Sequence, residues 1–143
     1  MIVSQILKAK GSDVATIAPD ASVAEAAARL ANRRIGALVV TRGDGGIAGI
    51  ISERDIVRAL AVTGAGALDG EVGTLMSRSV ATCSPGDSLE SLMREMTARR
   101  VRHLPVVKDG RLAGIVSIGD VVKHRLDELE RERAMLVSYV ASG

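Results

Sequence analysis

The stretch at residues 47–52 reads IAGIIS, and it occurs a second time at residues 112–117 as LAGIVS. Upstream of it, VATIAP at residues 14–19 recurs as VATCSP at residues 80–85. The copies are 66 residues apart at the upstream stretch and 65 apart at the downstream one, so they differ in length by one residue. Self-similarity at a fixed period indicates that one structural unit is repeated along the chain.

Each copy predicts the same order of elements: a short strand, a helix, a strand, a turn, a strand and a second helix. Ser22 and Ser88 fit the N-cap of the first helix, and Glu25 stands where it would complete a capping box. Apolar runs separated by Asp-Gly turns predict two hairpins. Their strands are expected at residues 37–40, 47–51, 104–107 and 112–116. The sequence therefore predicts an α/β (α+β) fold of two β-α-β-β-α repeats.

The composition excludes several classes of protein. The chain has 143 residues, 47% of them hydrophobic, which is typical of one compact globular unit. A net charge of only +2 does not favour a nucleic-acid partner. Cys83 is the single cysteine, and the two histidines are far apart in sequence, so neither a disulfide nor a zinc site is expected. No apolar run reaches the roughly 18 residues of a membrane span, and residues 1–10 show no signal peptide, so we expect a cytoplasmic protein.

The repeats divide the chain into a first unit at residues 1–62, a linker at residues 63–70 and a second unit at residues 71–143. The linker carries glycines and few apolar anchors, so we expect it to be mobile. The second unit ends in a helix that is longer than its counterpart in the first.

That C-terminal helix carries an apolar stripe. Leu126, Leu129, Leu136 and Val140 follow a heptad-like spacing, which Arg133 interrupts. Either a helix from a second subunit or the helix's own domain could cover the stripe, and the spacing does not decide between them.

Three stretches carry a family resemblance: GIISERD at residues 49–55, GIVSIGD at residues 114–120 and RVRHLPVV at residues 100–107. Together they resemble the cystathionine-β-synthase (CBS) domain, and the tandem is similar to a stand-alone CBS pair, or Bateman module. The resemblance implies two repeats packed through their sheets about a pseudo-twofold axis. It also implies a non-catalytic regulatory homodimer that binds an adenine nucleotide (AMP, ADP, ATP or NAD), requires no cofactor and signals to a separate, unknown effector protein.

A Ser-x-x-Asp pattern ends the last strand of each repeat, as Ser52 with Asp55 and as Ser117 with Asp120. The serine is expected to cap the following helix in any case, because its hydroxyl accepts from the amide three residues on. The same helix start is expected to offer free amide donors and a positive dipole end to a phosphate. The resemblance implies that each serine approaches the phosphate and that each aspartate holds the ribose.

The resemblance also assigns the nucleobase to two apolar slots. The first slot is lined by Thr16, Ile17, Gly36, Ala37 and Leu38, and the second by Thr82, Cys83, His103, Leu104 and Pro105. Core burial explains Ile17, Cys83 and Leu104 at least as well, and Cys83 is interpreted as a small hydrophobe, not a nucleophile.

The two sites are expected to differ. Arg54 stands beside Asp55 in the first repeat, where the second has Gly119 after Ile118. Arg102 and His103 enter an otherwise apolar strand, and the pseudo-twofold axis of CBS pairs implies that they face a nucleotide held mainly by the other repeat. We therefore expect two clefts with different ligand preferences.

Two other functions compete with nucleotide sensing. The arginine-rich residues 99–103 allow a nucleic-acid-binding module, although the absence of Phe and Trp and the modest charge count against it. A protein-interaction module with vestigial nucleotide sites would use the charged terminal helix. An enzyme is least favoured, because the sequence offers no nucleophile beside a base and no paired carboxylates with acid and base roles.

Overall fold

The computed structural model describes residues 1–142, and Gly143, the last residue of the predicted second unit, lies outside them. The α-helices and strands follow one another as α1 (Val3–Lys10), β1 (Thr16–Ile17), α2 (Val23–Arg33), β2 (Ala37–Thr41), β3 (Ile47–Ser52), α3 (Glu53–Thr63), α4 (Val72–Leu75), α5 (Leu89–Arg99), β4 (His103–Lys108), β5 (Arg111–Ser117) and α6 (Ile118–Ser142). A 3₁₀ helix (Gly64–Asp69) connects α3 to α4. The predicted fold class is confirmed.

Both predicted hairpins are present. β2 pairs with β3 so that Ala37 lies opposite Ser52, and β4 pairs with β5 so that His103 lies opposite Ser117. The second hairpin turns at Asp109 and Gly110, whose φ angles of 52° and 75° suit the tight turn that Asp-Gly predicts. The register of both hairpins brings the strand ends, and therefore the Ser-x-x-Asp patterns, to equivalent places.

The first strand of each repeat is very short. β1 runs parallel to β2 over two residues, whereas in the second repeat the equivalent chain makes only an isolated parallel bridge between Cys83 and Val106. The bridge still has two backbone hydrogen bonds, from the Cys83 amide to Pro105 at 3.0 Å and from the Val107 amide to Cys83 at 2.8 Å. The backbone course of the repeat is kept.

Each hairpin packs one face against its own helix. In the first repeat Leu38 and Ile51 are fully buried against the apolar face of α2, and in the second Leu104 and Val116 are buried against that of α5. The predicted N-caps are present, since the hydroxyl of Ser22 accepts from the amide three residues on at 3.1 Å, as does that of Ser88 at 3.0 Å.

The helices that precede the repeats are exchanged between the two cores. Val3 and Ile6 of α1 are fully buried in the core of the second repeat, and Val72 of α4 is fully buried in the core of the first. Backbone bonds fix both, from the Val3 amide to the carbonyl of Asp87 at 2.9 Å and from the Val72 amide to that of Ala21 at 2.8 Å. The core of the first repeat therefore needs α4, and the core of the second needs α1, so the two repeats form one cooperative structure.

Two equivalent glycines allow this exchange. A Cβ atom on Gly49 of β3 would lie 2.6 Å from the carbonyl oxygen of Ser77 and 2.7 Å from the sulfur of Met76. A Cβ atom on Gly114 of β5 would lie 2.7 Å from a methyl carbon of Leu7. The glycine of the repeated stretch is therefore needed because the exchanged segment crosses directly over the strand.

One local prediction is wrong and another is untested. The predicted linker at residues 63–70 contains a six-residue 3₁₀ helix, and Leu68 packs against the first core, while the mobility of the linker stays a prediction. Glu25 does not complete a capping box, because its carboxylate instead pairs with Arg29 one turn along α2, at 2.8 Å. The division at residues 62 and 71 stays a prediction.

The distal part of α6 extends away from its own domain. Val121 and His124 are buried near its start, but Leu136 is 65% exposed and Val140 is 77% exposed. Packing onto the helix's own domain therefore does not cover the predicted stripe. Among the helices of residues 1–142, none combines the length and the apolar character that a membrane span requires.

Candidate functional site

The Ser-x-x-Asp pattern of the first repeat lies at the start of α3. The Asp55 carboxylate accepts from the Ser52 amide at 2.8 Å and from the Ser52 hydroxyl at 3.0 Å, and the Ser52 oxygen accepts from the Asp55 amide at 3.3 Å. These bonds form a capping box that fixes both side chains. Both are half-buried, and Asp55 makes no ion pair among residues 1–142.

The equivalent pair at the start of α6 has an additional partner. The Asp120 carboxylate accepts from the Ser117 amide at 2.9 Å, and the Ser117 oxygen accepts from the Asp120 amide at 3.2 Å. The ammonium of Lys10, at the end of α1, lies 2.6 Å from the same Asp120 carboxylate oxygen. Burial acts to raise the pKa of Asp120, but the Lys10 hydrogen bond and the Ser117 amide outweigh it and hold that pKa below its usual value.

The helix starts offer fewer free amides than the sequence predicts. The first amides of α3 and α6 donate to the carbonyls of Gly36 at 3.0 Å and Arg102 at 2.8 Å, and the third amides donate to the capping serines. Of the first three amides of each helix, the second therefore makes no hydrogen bond within residues 1–142. It belongs to Arg54 in α3 and to Gly119 in α6. The expected cradle of amides for a phosphate is thus reduced to one donor at each helix.

The two repeats meet at His103. A Cβ atom on Gly36 would lie 3.4 Å from the Cε1 of His103 and 3.5 Å from the carboxylate of Glu53, so this strand end faces the start of α3. Burial, together with the charge of Lys10, lowers the pKa of His103, although Asp120 and Glu53 act in the opposite direction. His103 therefore lies in the field of both helix starts, as the pseudo-twofold arrangement predicts.

A depression of about 300 Å³ spans the two repeats beside α6. Arg54 of the first repeat faces Arg102 and Ile118 of the second across it. The remaining lining residues are Met96, Thr97, Arg100 and Val101. Three residues predicted from the sequence therefore come together here, although Asp55 and Asp120 do not line this depression.

A second depression, of about 480 Å³, lies at the equivalent place beside α3. It is lined by Ala27, Leu30, Ala31, Arg34, Ile35, Glu53 and Ile56. Its lining carries a negative charge that the first depression lacks at this place, because Glu53 lies where the depression beside α6 has the apolar Ile118. Both volumes lie within the usual range of small-ligand pockets, near its lower end.

Arg34 and Arg100 were not predicted as ligand-binding residues, and they line these depressions from equivalent helix ends. Both have a φ of 54°, the left-handed conformation that non-glycine residues rarely adopt. Each terminates its helix by donating its amide to carbonyls of the last turn. A pair of arginines in the two copies is the only sign of them in the sequence.

The profile of the CBS domain matches residues 3–62 and again residues 72–127. The chain belongs to the CBS domain family. Its two CBS repeats follow the strand, helix and hairpin order that the repeated sequence pattern predicts, with the Ser-x-x-Asp pattern at the end of the last strand of each.

Solved and curated CBS proteins are similar to this chain over most of its length. A CBS-domain containing protein of Agrobacterium tumefaciens is 48% identical with a TM-score of 0.85, covering 87% of this chain and 99% of that one. A mitochondrial CBS domain-containing protein of Arabidopsis thaliana is 34% identical, covering 99% of this chain and 72% of its own length. A CBS domain protein of Pyrobaculum aerophilum, solved in complex with AMP, is 31% identical with a TM-score of 0.75, covering 84% of this chain and 89% of that one.

The apolar residues predicted to form nucleobase slots belong to the cores of the CBS repeats. The buried set comprises Ile17, Ala37, Leu38, Cys83, Leu104 and Pro105. Burial, and secondarily the charge of Asp87, raises the pKa of the Cys83 thiol to about 12, which agrees with the interpretation of Cys83 as a small hydrophobe. A ligand role for this set stays a prediction, and it would involve the backbone N–H and C=O groups of these residues, because their side chains are buried.

The polar residues of the predicted slots are more accessible. Thr16, Gly36 and His103 are half-buried, and Thr82 is exposed. Ile118 and Gly119 are exposed at the start of α6, and a Cβ atom on Gly119 would meet only the Ser117 hydroxyl, at 3.6 Å. A Cβ atom beside Asp120 would therefore make only an ordinary van der Waals contact.

Proposed function

We propose that this CBS pair is a non-catalytic regulatory module that binds an adenine nucleotide such as AMP, ADP, ATP or NAD. The observation that carries the proposal is the half-buried Asp55 carboxylate at the start of α3, oriented by Ser52 and without an ion pair among residues 1–142. A fixed carboxylate with free lone pairs suits the two neighbouring hydroxyls of a ribose. The AMP complex of the similar Pyrobaculum aerophilum protein supports an adenine ligand.

Charge near this helix start favours an anionic ligand. Arg54 and Arg102 face one another across the depression beside α6, and neither makes an ion pair among residues 1–142. Guanidinium groups bind phosphate oxygens with paired hydrogen bonds. In the proposed complex, Asp55 holds the ribose while Arg54, with its free amide, and Arg102 contact the phosphate.

Titration calorimetry with AMP, ADP, ATP, NAD and S-adenosylmethionine tests the proposal. We expect at least one of them to bind, and we expect Asp55→Ala to weaken that binding at least tenfold. Asp44→Ala is the matched control, because its carboxylate is 72% exposed at the tip of the first hairpin, at the other end of β3 from the start of α3. Absence of binding below millimolar concentration for all five ligands, or binding that Asp55→Ala leaves unchanged, would contradict the proposal.

The exposed end of α6 supports a homodimer as the signalling unit. Leu126, Leu129, Leu136 and Val140 share one stripe with Arg133, and every one of them is exposed. In a parallel pair of helices Arg133 would face its own copy, and the two like charges would repel. We infer that two copies pair their α6 helices antiparallel, and that nucleotide binding alters this packing for a separate effector protein.

Light scattering after size-exclusion chromatography tests the dimer. The expected mass is twice the 14.9 kDa of one chain, and Leu136→Asp is expected to reduce it to that of a monomer. Ala134→Asp is the matched control, because it adds the same charge outside the stripe. A monomeric native protein, or a dimer that survives Leu136→Asp, would contradict this pairing.

A further inference from the structure

Lys10 lies beside Asp120, whereas Asp55, the equivalent residue of the first repeat, pairs with no cation among residues 1–142. Its ammonium lies 2.6 Å from the Asp120 carboxylate and also donates to the carbonyl of Ile115 at 3.0 Å. The side chains of Lys10 and Asp120 are 29% and 21% exposed, so water has only partial access to the pair. The two bonds hold the lysine in place at the helix start.

The exchange of helices brings Lys10 to this position. α1 precedes the first repeat in sequence but packs on β5 of the second, with Leu7 lying directly over Gly114. The helix ends at Lys10, because Gly11 follows with a φ of 97°. The last turn of α1 is therefore aimed at the start of α6.

The equivalent segment supplies no such cation to the first repeat. α4 is a four-residue helix, whereas α1 has eight residues. Met76 holds the place of Leu7, and the chain continues through Ser77 in contact with β3, where the Ser77 amide donates to Ile50 at 2.9 Å. Asp55 is left without an ion pair among residues 1–142.

We propose that Lys10 is a ligand-selecting residue that closes the ribose position at Asp120, so that one chain binds one nucleotide, at Asp55. The pair of Lys10 with Asp120 joins two opposite charges, whereas a ribose hydroxyl on the same carboxylate would make a hydrogen bond in which only the acceptor is charged. The hydroxyls of a ribose are neutral donors, so they replace the ammonium poorly and would leave its charge without a partner. The proposal rests on the proposed function, and it makes the second site weaker than the first by tenfold or more.

Calorimetry with AMP, using the full chain, tests this assignment. The wild type is expected to bind one AMP per chain, whereas Lys10→Met, which keeps the length of the side chain without the charge, is expected to bind two. Lys8→Met is the matched control on the same helix and should still bind one, as should Lys10→Arg, which restores a cation. The second site of Lys10→Met should disappear again in the double variant Lys10→Met/Asp120→Ala.

The outcomes separate this inference from the proposed function. Two sites in the wild type, or a single site in Lys10→Met with an unchanged thermal melting curve, would overturn the role of Lys10 while leaving nucleotide binding intact. If Lys10→Met unfolds, Lys10→Gln and the effect of Asp120→Ala on the wild type decide instead: a loss of AMP binding in Asp120→Ala would overturn the closed second site. Failure of the wild type and of every variant to bind AMP, ADP, ATP, NAD or S-adenosylmethionine would overturn both.

Discussion

Asp55 and Asp120 occupy equivalent positions in the two repeats, but their surroundings differ. Both carboxylates accept from the serine amide three residues earlier, at 2.8 Å and 2.9 Å. Asp55 then has Arg54 beside it in sequence, whereas Asp120 has Gly119 beside it and is paired with Lys10. The two repeats share their backbone course. The segments that cross from one repeat to the other, α1 over β5 and α4 with Ser77 over β3, determine whether a cation lies beside each aspartate.

The same contrast is present in the packing of the crossing segments. Gly49 faces backbone, because a Cβ atom there would lie 2.6 Å from the carbonyl oxygen of Ser77. The nearest neighbour of a Cβ atom on Gly114 would instead be the side chain of Leu7, at 2.7 Å. A backbone segment cannot rotate away, whereas a leucine can adopt another rotamer.

The largest predicted effect tests this contrast. We expect Gly49→Ala to lower the free energy of unfolding by about 2–3 kcal/mol, because overpacking a core typically costs about 1–3 kcal/mol. Gly114→Ala should cost about 1 kcal/mol, toward the lower end of that range. Chemical denaturation of both variants measures the difference, and an equal loss would show that the two crossings are equivalent.

Gly43→Ala and Gly86→Ala are the controls, one in each repeat. A Cβ atom on either glycine meets nothing within 4 Å. Neither variant should lose stability, since replacing a glycine where the backbone allows it slightly stabilises a protein.

The local structure of each repeat could be predicted from the sequence, because its causes lie within a few residues. Ser22 and Ser88 cap helices through the amides three residues on, and Asp109 with Gly110 forms a two-residue turn. The exchange of α1 and α4 could not be predicted. Helical spacing shows which face is buried, but not which repeat buries it.

The candidate site was predictable to the same extent. Ser52, Asp55 and their equivalents were found because the Ser-x-x-Asp pattern is local. Lys10 was missed, because it is more than 100 residues from Asp120 and only the crossing of α1 brings the two together. The number of free amides was overestimated, since the carbonyl that accepts from the first amide belongs to a residue just before another strand, Gly36 or Arg102.

A smaller effect on stability tests a feature that the two repeats share, the left-handed arginine at the end of α2 and of α5. Arg34 and Arg100 both end their helices with a φ of 54°. Because the left-handed conformation costs a non-glycine residue about 1–2 kcal/mol, we expect Arg34→Gly and Arg100→Gly each to raise the free energy of unfolding by up to about 1 kcal/mol. Thermal and chemical unfolding measure both.

Ala28→Gly is the control for this pair, because Ala28 is exposed in the interior of α2 and its replacement should lose about 1 kcal/mol through lower helix propensity. Equal gains in Arg34→Gly and Arg100→Gly would show that the repeats are alike at these helix ends. The difference between them would then be limited to the two ligand sites and to the segments that pack over Gly49 and Gly114. A loss of stability in either variant would contradict the assigned strain.

The smallest predicted effect concerns pH. His103 has no histidine counterpart in the first repeat, where Ala37 holds its place. Burial lowers its pKa below 6.5, so the unfolded chain binds the proton more tightly than the folded one. His103 therefore destabilises the fold as the pH falls below about 6.5, and the loss levels off below the folded pKa. His103→Gln should make unfolding less dependent on pH between about 7 and 5, and an unchanged dependence would contradict the burial of this ring.

A crystal structure of the native protein grown with AMP tests the inequality of the two clefts most directly. We expect one AMP per chain, with its ribose hydroxyls on the carboxylate of Asp55 and the ammonium of Lys10 still on Asp120. An AMP whose ribose lies on Asp120, with Lys10 displaced and Asp55 free, would contradict it.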